Sequence, residues 1–481
     1  MKAKLLGILL IGFLAGTAAG TFFNYDISNF FIAAIAFFLV MSVATKKWIH
    51  IFVSLAAIFI FAGFEMGCNA ANFKIKSEPT SISGFIAKVD QNIYQKSINF
   101  YVKEKEKDSY LEVRTGKDVE YKVGDYVLIS GNITAADLPK YKKDHIYYFV
   151  QYPEIRKIKK PNSGRYENFL VKKAILINRL NEYISDRISA VLPQPHAALS
   201  VGVLLGGSSA FSKDLSSKFS DTGITHILAV SGYNVMIIAT VLFKFLKKKP
   251  QKIKIWGAIF GVWVFAVLTG MSASVVRASI MALVLIIAKL AGRDYYPFSS
   301  LMLTASIMVF LNPLILMYDL GFQLSFLAVL GIIYFGPLVG LMFKKRNIFT
   351  EIIIATISAQ ILTMPLIAYY FGKVSIVSFA ANLLVLPAIP FLMLFSFITF
   401  AVYLVSPFLA LGVGFFNWVL AEYVVKTILY LSSLPWAKVN IEFGFTALIV
   451  VYILLIDIKI LSLRYAKKKK ENLHDYYSLA G

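Results

Sequence analysis

The chain has 481 residues, 58% of them hydrophobic and only 16% charged, with a formal net charge of +22. Apolar runs of about 20 residues recur along it, and each is long enough to cross a hydrocarbon core of about 30 Å as a helix. This excludes an ordinary soluble globular protein and places the chain among polytopic α-helical membrane proteins; its single cysteine, Cys68, excludes an intrachain disulfide.

Residues 1–69 read as amino-terminal transmembrane helices, with apolar segments at 5–23, 30–45 and 48–67. Lys2, Lys4, Lys46 and Lys47 put the amino terminus and the loop after the second segment on the cytoplasmic side. The third span then exits outward.

Residues 70–165 change character and become polar and rich in β-formers. Alternating runs occupy Ile82–Val89, Ile93–Val102, Tyr110–Thr115, Tyr126–Ile133 and Ile146–Ile158, punctuated at Gly116, Gly124–Asp125, Gly131–Asn132 and Pro139. Short strands at this spacing predict a small extracytoplasmic all-β domain of OB-like type, an architecture often used to bind oligonucleotides. A plain structural module is the alternative.

Residues 166–222 carry amphipathic and interfacial helices. Leu170, Ala174, Ile177, Ile184, Ile188 and Val191 recur at helical spacing between Lys172, Lys173, Arg179, Glu182 and Arg187. That pattern predicts a helix lying along the outer membrane surface. The following segment, 196–211, is apolar but too short to span.

Residues 223–463 form the main membrane block. Spans are predicted near 223–243, 255–271, 273–291, 297–312, 319–342, 350–371, 376–406, 410–431 and 442–461, about twelve in all with the first three. Basic clusters at Lys244–Lys254, Lys344–Arg346 and Arg464–Lys470 all fall inside if the β domain is outside, and 464–481 is a basic cytoplasmic tail. Pro387 and Pro390 break the long segment 376–406, as in the discontinuous helices that line cavities. The positive charge therefore records topology first. It also suits a polyanionic partner.

Polar side chains at membrane depth mark candidate path residues. Asp221, His226, Ser231 and Asn234 cluster in Asp221–Val235, where Ser231 and Asn234 share a helix face. His226 and Ser231 suggest a serine hydrolase pair, but five residues on one helix is about 140° of rotation, a poor geometry for it. Arg277 lies beside a small-residue stripe of Ser274, Ala278 and Ala282 and must face a partner, water or a phosphate, unless it snorkels to the interface. Gln323 and Ser325 follow Asp319, with interhelical hydrogen bonding as the plain alternative, and Asn382 precedes the broken-helix prolines. There is no phosphate-binding Walker loop and no metal-ligand spacing among the five histidines, so no cofactor and no built-in motor are expected.

Gly223-Ile224-Thr225-His226-Ile227-Leu228-Ala229-Val230-Ser231-Gly232 closely resembles the hallmark of the ComEC competence family. The Ser272–Met281 region around Arg277, the stretch Gly321–Phe326 and the stretch Asn382–Pro387 are similar to that family in the same order. The resemblance implies a multi-pass cell-membrane channel, not an enzyme, that passes single-stranded DNA into the cytoplasm during natural transformation. It also implies a DNA receptor, an uptake pilus and a cytoplasmic DNA helicase as partners, beside the surrounding lipids. Where the family usually has His after Ser-Gly-Leu, this chain has Tyr233-Asn234, which keeps hydrogen bonding and cannot titrate in the physiological range. The carboxy-terminal metallo-β-lactamase-like nuclease of many members is not expected here, so another protein or the OB-like module degrades the second strand. The rival reading is a polytopic transporter of a lipid-linked or small anionic substrate.

Overall fold

A computed structural model describes the chain apart from residues 1, 24–47, 72–79, 93–96, 105–109, 117–120, 136–145, 152, 159–164, 207–210, 228–230, 344, 443 and 462–481. The expected second span at 30–45, Lys46, Lys47, Pro139 and the basic tail lie outside the described residues. Two compact units divide the chain. The first holds residues 1–216, 226–323 and 389–423, and the second holds 217–225, 324–388 and 424–481.

The first unit opens with α1 (Lys2–Phe23) and α2 (Trp48–Ala71). Their backbones touch. A Cβ on Gly16 would stand 1.9 Å from the Ile60 carbonyl oxygen, and one on Gly63 would stand 2.1 Å from that of Phe13. Gly20 and Gly67 meet Phe64 and Thr17 in the same way. Small residues at one face permit this approach, which dispersion between the two backbones then rewards.

The β region of this unit contains β1 (Ser81–Asn92), β2 (Ser97–Glu104), β3 (Tyr110–Gly116), β4 (Tyr126–Ser130), β5 (Thr134–Ala135), β6 (Ile146–Gln151) and β7 (Glu154–Lys157). Their order in the sheet is β5-β6-β3-β2-β1-β4-β7. β1 to β3 form an antiparallel meander, β6 runs parallel to β3, and β1 pairs with β4 on its far side. Alternation sends Ile82, Ile86, Val102, Leu111, Val113, Val127 and Ile129 into one buried core. The single run expected at 146–158 is two strands, because Pro153 lies between them and cannot donate to a ladder.

Helix α3 (Arg165–Ser189) packs on β1 and seats Val171 and Ile175 against Phe85 and Tyr126. Its Phe169 and Leu176 remain exposed. The ten-residue α4 (His196–Leu205) is almost wholly buried. Next come α5 (Lys213–Asp221), which ends in the second unit, and, after a 3-10 turn at Thr225–Ile227, α6 (Gly232–Phe245), α7 (Gln251–Leu268), α8 (Ala273–Leu290) and α9 (Pro297–Leu311). The short α10 (Ile315–Tyr318) leads into α11 (Leu320–Gly340), which continues in the second unit. The first unit resumes with α14 (Ile389–Tyr403) and the start of α15 (Pro407–Ser432). A polar seam joins α4, α14 and α15. Ser200 and Ser396 both donate to Asn417 Oδ1, at 3.3 and 3.4 Å, and His196 Nε2 meets Glu422 Oε2 at 2.5 Å.

In the second unit, α12 (Ile348–Phe371) starts in a reciprocal cap between Asn347 and Thr350 and ends at left-handed Gly372. It packs closely on α11, since a Cβ on Gly331 would stand 2.2 Å from the Ser358 carbonyl oxygen. Strand β8 (Lys373–Ser375) follows and pairs antiparallel with β9 (Lys438–Asn440). Helix α13 (Ser378–Val385) precedes the proline break, and a last helix, α16, covers 445–461.

Among the described residues, α7, α11, α12 and α15 are long and apolar enough to cross a membrane. The pair α13 and α14, bent by 47° at the break that contains Pro387, is a broken span or a re-entrant loop and brings the number to five if it is one span. The chain is thus a polytopic helical membrane protein. Of the other apolar helices, α4 has ten residues and α9 fifteen, at most about 23 Å at 1.5 Å per residue, whereas α1 and α2 have 22 and 24. The predicted span 223–243 also starts late, at Gly232, because a left-handed Gly223 and a lone 3-10 turn stand where a helix was expected.

Candidate functional site

The hallmark segment 221–235 is not one helix, so the rotation argument drawn for His226 and Ser231 does not apply. His226 is exposed on the 3-10 turn, and Ser231 is the extended residue that precedes α6. The Ser231 hydroxyl donates to Asn234 Oδ1 at 3.2 Å. Asn234 in turn donates through Nδ2 to the Val203 carbonyl of α4 at 3.1 Å. Asn234 is 2% exposed. Its amide therefore ties the start of α6 to α4 and orients Ser231. Ser231 and Asn234 meet through this hydrogen bond, with Ser231 extended before the helix, so the contact is not a shared helix face and serves to position Ser231.

Arg277 lies on α8, which packs on α6, α7 and α9. It is 9% exposed. A Cβ on Gly232 would stand 3.0 Å from the Arg277 guanidinium and 3.2 Å from Ala278 Cβ. Gly232, with no side chain, lets the guanidinium lie on the first turn of α6. This is also where the small-residue stripe of α8 makes its close approach. A buried cation beside the amide-rich start of a helix is a surrounding that favours an anion.

Gln323 is committed locally. Its Nε2 donates to the carbonyls of Leu316 and Met317 at 3.0 and 2.8 Å, satisfying the end of α10. Asp319 caps the next helix, accepting from the Phe322 N–H at 2.7 Å.

The second unit holds Asp221, Ser325 and Asn382. Asp221 ends α5, and its carboxylate bridges two ammonium groups. Lys373 Nζ stands 2.9 Å from Oδ1, and Lys438 Nζ stands 2.6 Å from Oδ2. Burial pushes this carboxyl up, but the hydrogen bonds and charges of Lys438 and Lys373 outweigh it and hold it below the usual aspartate value. Two residues on, Gly223 has φ +72, and a Cβ there would meet Ser378 Cβ at 2.6 Å and Ser375 Cβ at 3.1 Å. Gln360 donates to Ser378 Oγ at 3.1 Å, and Ser378 donates to the Ser375 carbonyl at 3.0 Å. Asn382 lies one turn beyond Ser378 on α13 and is 5% exposed. Its Oδ1 accepts no hydrogen bond among the described residues, and neither does the buried Ser325 Oγ.

The structure thus gathers Ser231, Asn234 and Arg277 around the start of α6, and it gathers Asp221 and the Gly223 turn around β8 and α13. Sequence reasoning missed Lys373, Lys438 and the anchoring role of Ser378. Their partners are far away in the chain, and no local pattern marks them.

The competence protein family model matches residues 203–465, more than half of the chain. The chain is 24% identical over 279 residues to ComE operon protein 3 of Bacillus subtilis (strain 168), covering 57% of this chain and 34% of that protein. It is 23% identical over 274 residues to an uncharacterized protein, YcaI, of Escherichia coli (strain K12), covering 54% and 36% respectively. The chain therefore spans about a third of the length of these curated relatives. No solved structure matches it. The matched region starts within α4, at the carbonyl that holds Asn234, and it contains Ser231, Arg277, the Gly223 turn and Asn382; the chain belongs to the ComEC competence protein family.

Proposed function

We propose that the protein is the channel through which one DNA strand crosses the cytoplasmic membrane during natural transformation. The observation that carries this reading is the buried Arg277 guanidinium laid on the start of α6 at Gly232, in a chain of the competence family. A phosphodiester path needs fixed positive charge out of bulk water, where each contact is strong. In this reading Asp221, His226, Ser231, Asn234, Arg277, Gln323, Ser325 and Asn382 lie along the path. The amino terminus is cytoplasmic, and the β region is an extracytoplasmic OB-like module that receives DNA. A DNA receptor and an uptake pilus deliver the strand, and a cytoplasmic helicase supplies the motive force. Another protein or the OB-like module removes the other strand.

Uptake of end-labelled double-stranded DNA into the cytoplasm tests the reading. Cells without the protein, or with Arg277→Ala at wild-type abundance, should keep DNA bound outside and lose internal label. Arg277→Lys should retain partial uptake. Unchanged internal label in the Ala variant refutes a phosphate path at Arg277. It would favour instead a transporter of a small anionic substrate, for which the bent pair at Pro387 is a suitable binding element.

A further inference from the structure

We propose that Lys373 and Lys438 form a phosphodiester site, that Asp221 occupies this site as an internal anion, and that an arriving strand exchanges one phosphate for the Asp221 carboxylate. The proposal rests on the DNA-path reading above and assigns a binding role to two residues outside its path. The geometry comes from the two-stranded β8–β9 sheet. Lys373 pairs in register with Asn440, and Ser375 pairs with Lys438. Side chains alternate along a strand, so these four residues share one face. That face carries two ammonium groups, a hydroxyl and an amide, and no acidic residue. Each ammonium holds a different oxygen of the same carboxylate. A phosphodiester offers the same pattern, one charge shared over two oxygens.

Asp221 is a replaceable occupant for three reasons. It is the last residue of α5, where the helix dipole disfavours an anion. Two lysines face one carboxylate, so the group carries a net positive charge even when latched. Lys438 is 45% exposed and lies on a strand whose residues are all exposed, so a ligand reaches it from outside. Release of Asp221 also has a defined consequence. The Gly223 turn, pressed on Ser375 and Ser378, follows two residues later. Exchange would therefore free one end of the hallmark loop as DNA arrives.

The test is anisotropy of a fluorescein-labelled oligothymidine with the full chain in detergent, over a salt series. Losing one phosphate contact should make the slope of log affinity against log salt shallower by about 0.7 in Lys373→Gln/Lys438→Gln, since each single-strand contact contributes about that much. Lys373→Arg/Lys438→Arg should keep the wild-type slope. Asp221→Asn should bind several-fold tighter, because the competing anion is gone. A Gln pair with the wild-type slope, or an Asp221→Asn variant that folds and binds no tighter, overturns the proposal. If the Gln pair does not fold, the exposed Lys438→Gln alone carries the same comparison. Phosphatidylglycerol added to the micelles should leave the difference between wild type and the Gln pair intact; a difference that vanishes assigns the lysines to a lipid headgroup and overturns the proposal. Wild-type protein that binds no oligothymidine overturns the DNA-path reading itself. Wild-type binding with unaltered variants overturns only this inference.

Discussion

Replacing Gly223 with alanine attacks the hallmark loop at the point where backbone conformation and packing meet. The residue has φ +72, and the new Cβ would fall 2.6 Å from Ser378 Cβ. A left-handed conformation costs an L-residue about 1–2 kcal/mol, and overpacking a close contact adds about 1–3 kcal/mol. The sum for Gly223→Ala is about 2–5 kcal/mol. Gly372 supplies the control. It has φ +63 at the end of α12, but its Cβ position is open, with nothing within 4 Å. Gly372→Ala therefore costs only the conformational part, about 1–2 kcal/mol. Thermal unfolding of the purified chain in detergent, together with DNA uptake in cells, should rank wild type above Gly372→Ala and Gly372→Ala above Gly223→Ala. Ser378→Gly removes the struck methylene and should recover part of the loss when combined with Gly223→Ala. The coupling in that double-mutant cycle isolates the clash. If Gly223→Ala is no worse than Gly372→Ala, the Gly223 turn does not press on α13.

Other perturbations separate the remaining contacts. Asn234→Ala leaves the buried Val203 carbonyl without its donor and should cost about 1–3 kcal/mol in detergent unfolding, with reduced uptake. For His196 and Glu422, replacing either alone by leucine should destabilise by about 1–3 kcal/mol, the cost of leaving the other polar group without its partner, whereas the double leucine variant should lose less than the worse single one. Because the Asp221 carboxyl is held below the ordinary aspartate value, its latch contributes fully above about pH 3.9 and is lost as pH falls through the lowered folded value. The stability of Asp221→Asn should therefore be flatter than wild type over that acid range, as read from unfolding midpoints against pH.

Much of the secondary structure was legible because it rests on local periodicity. The alternating runs at 82–89, 110–115 and 126–133 contain β1, β3 and β4 residues that point into one core. The apolar segment 350–371 is α12, and Pro387 marks the bend between α13 and α14. The start of α6 was not legible, since Ile224 to Val230 is as apolar as any span. The left-handed Gly223 at the head of this loop is fixed against Ser378, which lies 155 residues further along the chain. The same holds for Asp221, whose two partners are 152 and 217 residues away. Gln323 was recognised as polar at depth, but its task of closing the carbonyls of α10 depends on a turn that hydropathy does not show.

The contact between α1 and α2 is made by backbone, and this governs how the pair tolerates change. At Gly16, Gly20, Gly63 and Gly67 the opposing carbonyl oxygen occupies the space of a single methyl group. Any side chain there acts as a wedge that forces the helices apart along their length. Exposed positions on these two helices, such as Ile11 and Ile58, impose no such demand and are free to drift in sequence. The seam therefore works as a fixed joint around which the outward surface can be retuned. Inherited variation in this part of the chain should collect on the outer faces and stop at four small residues.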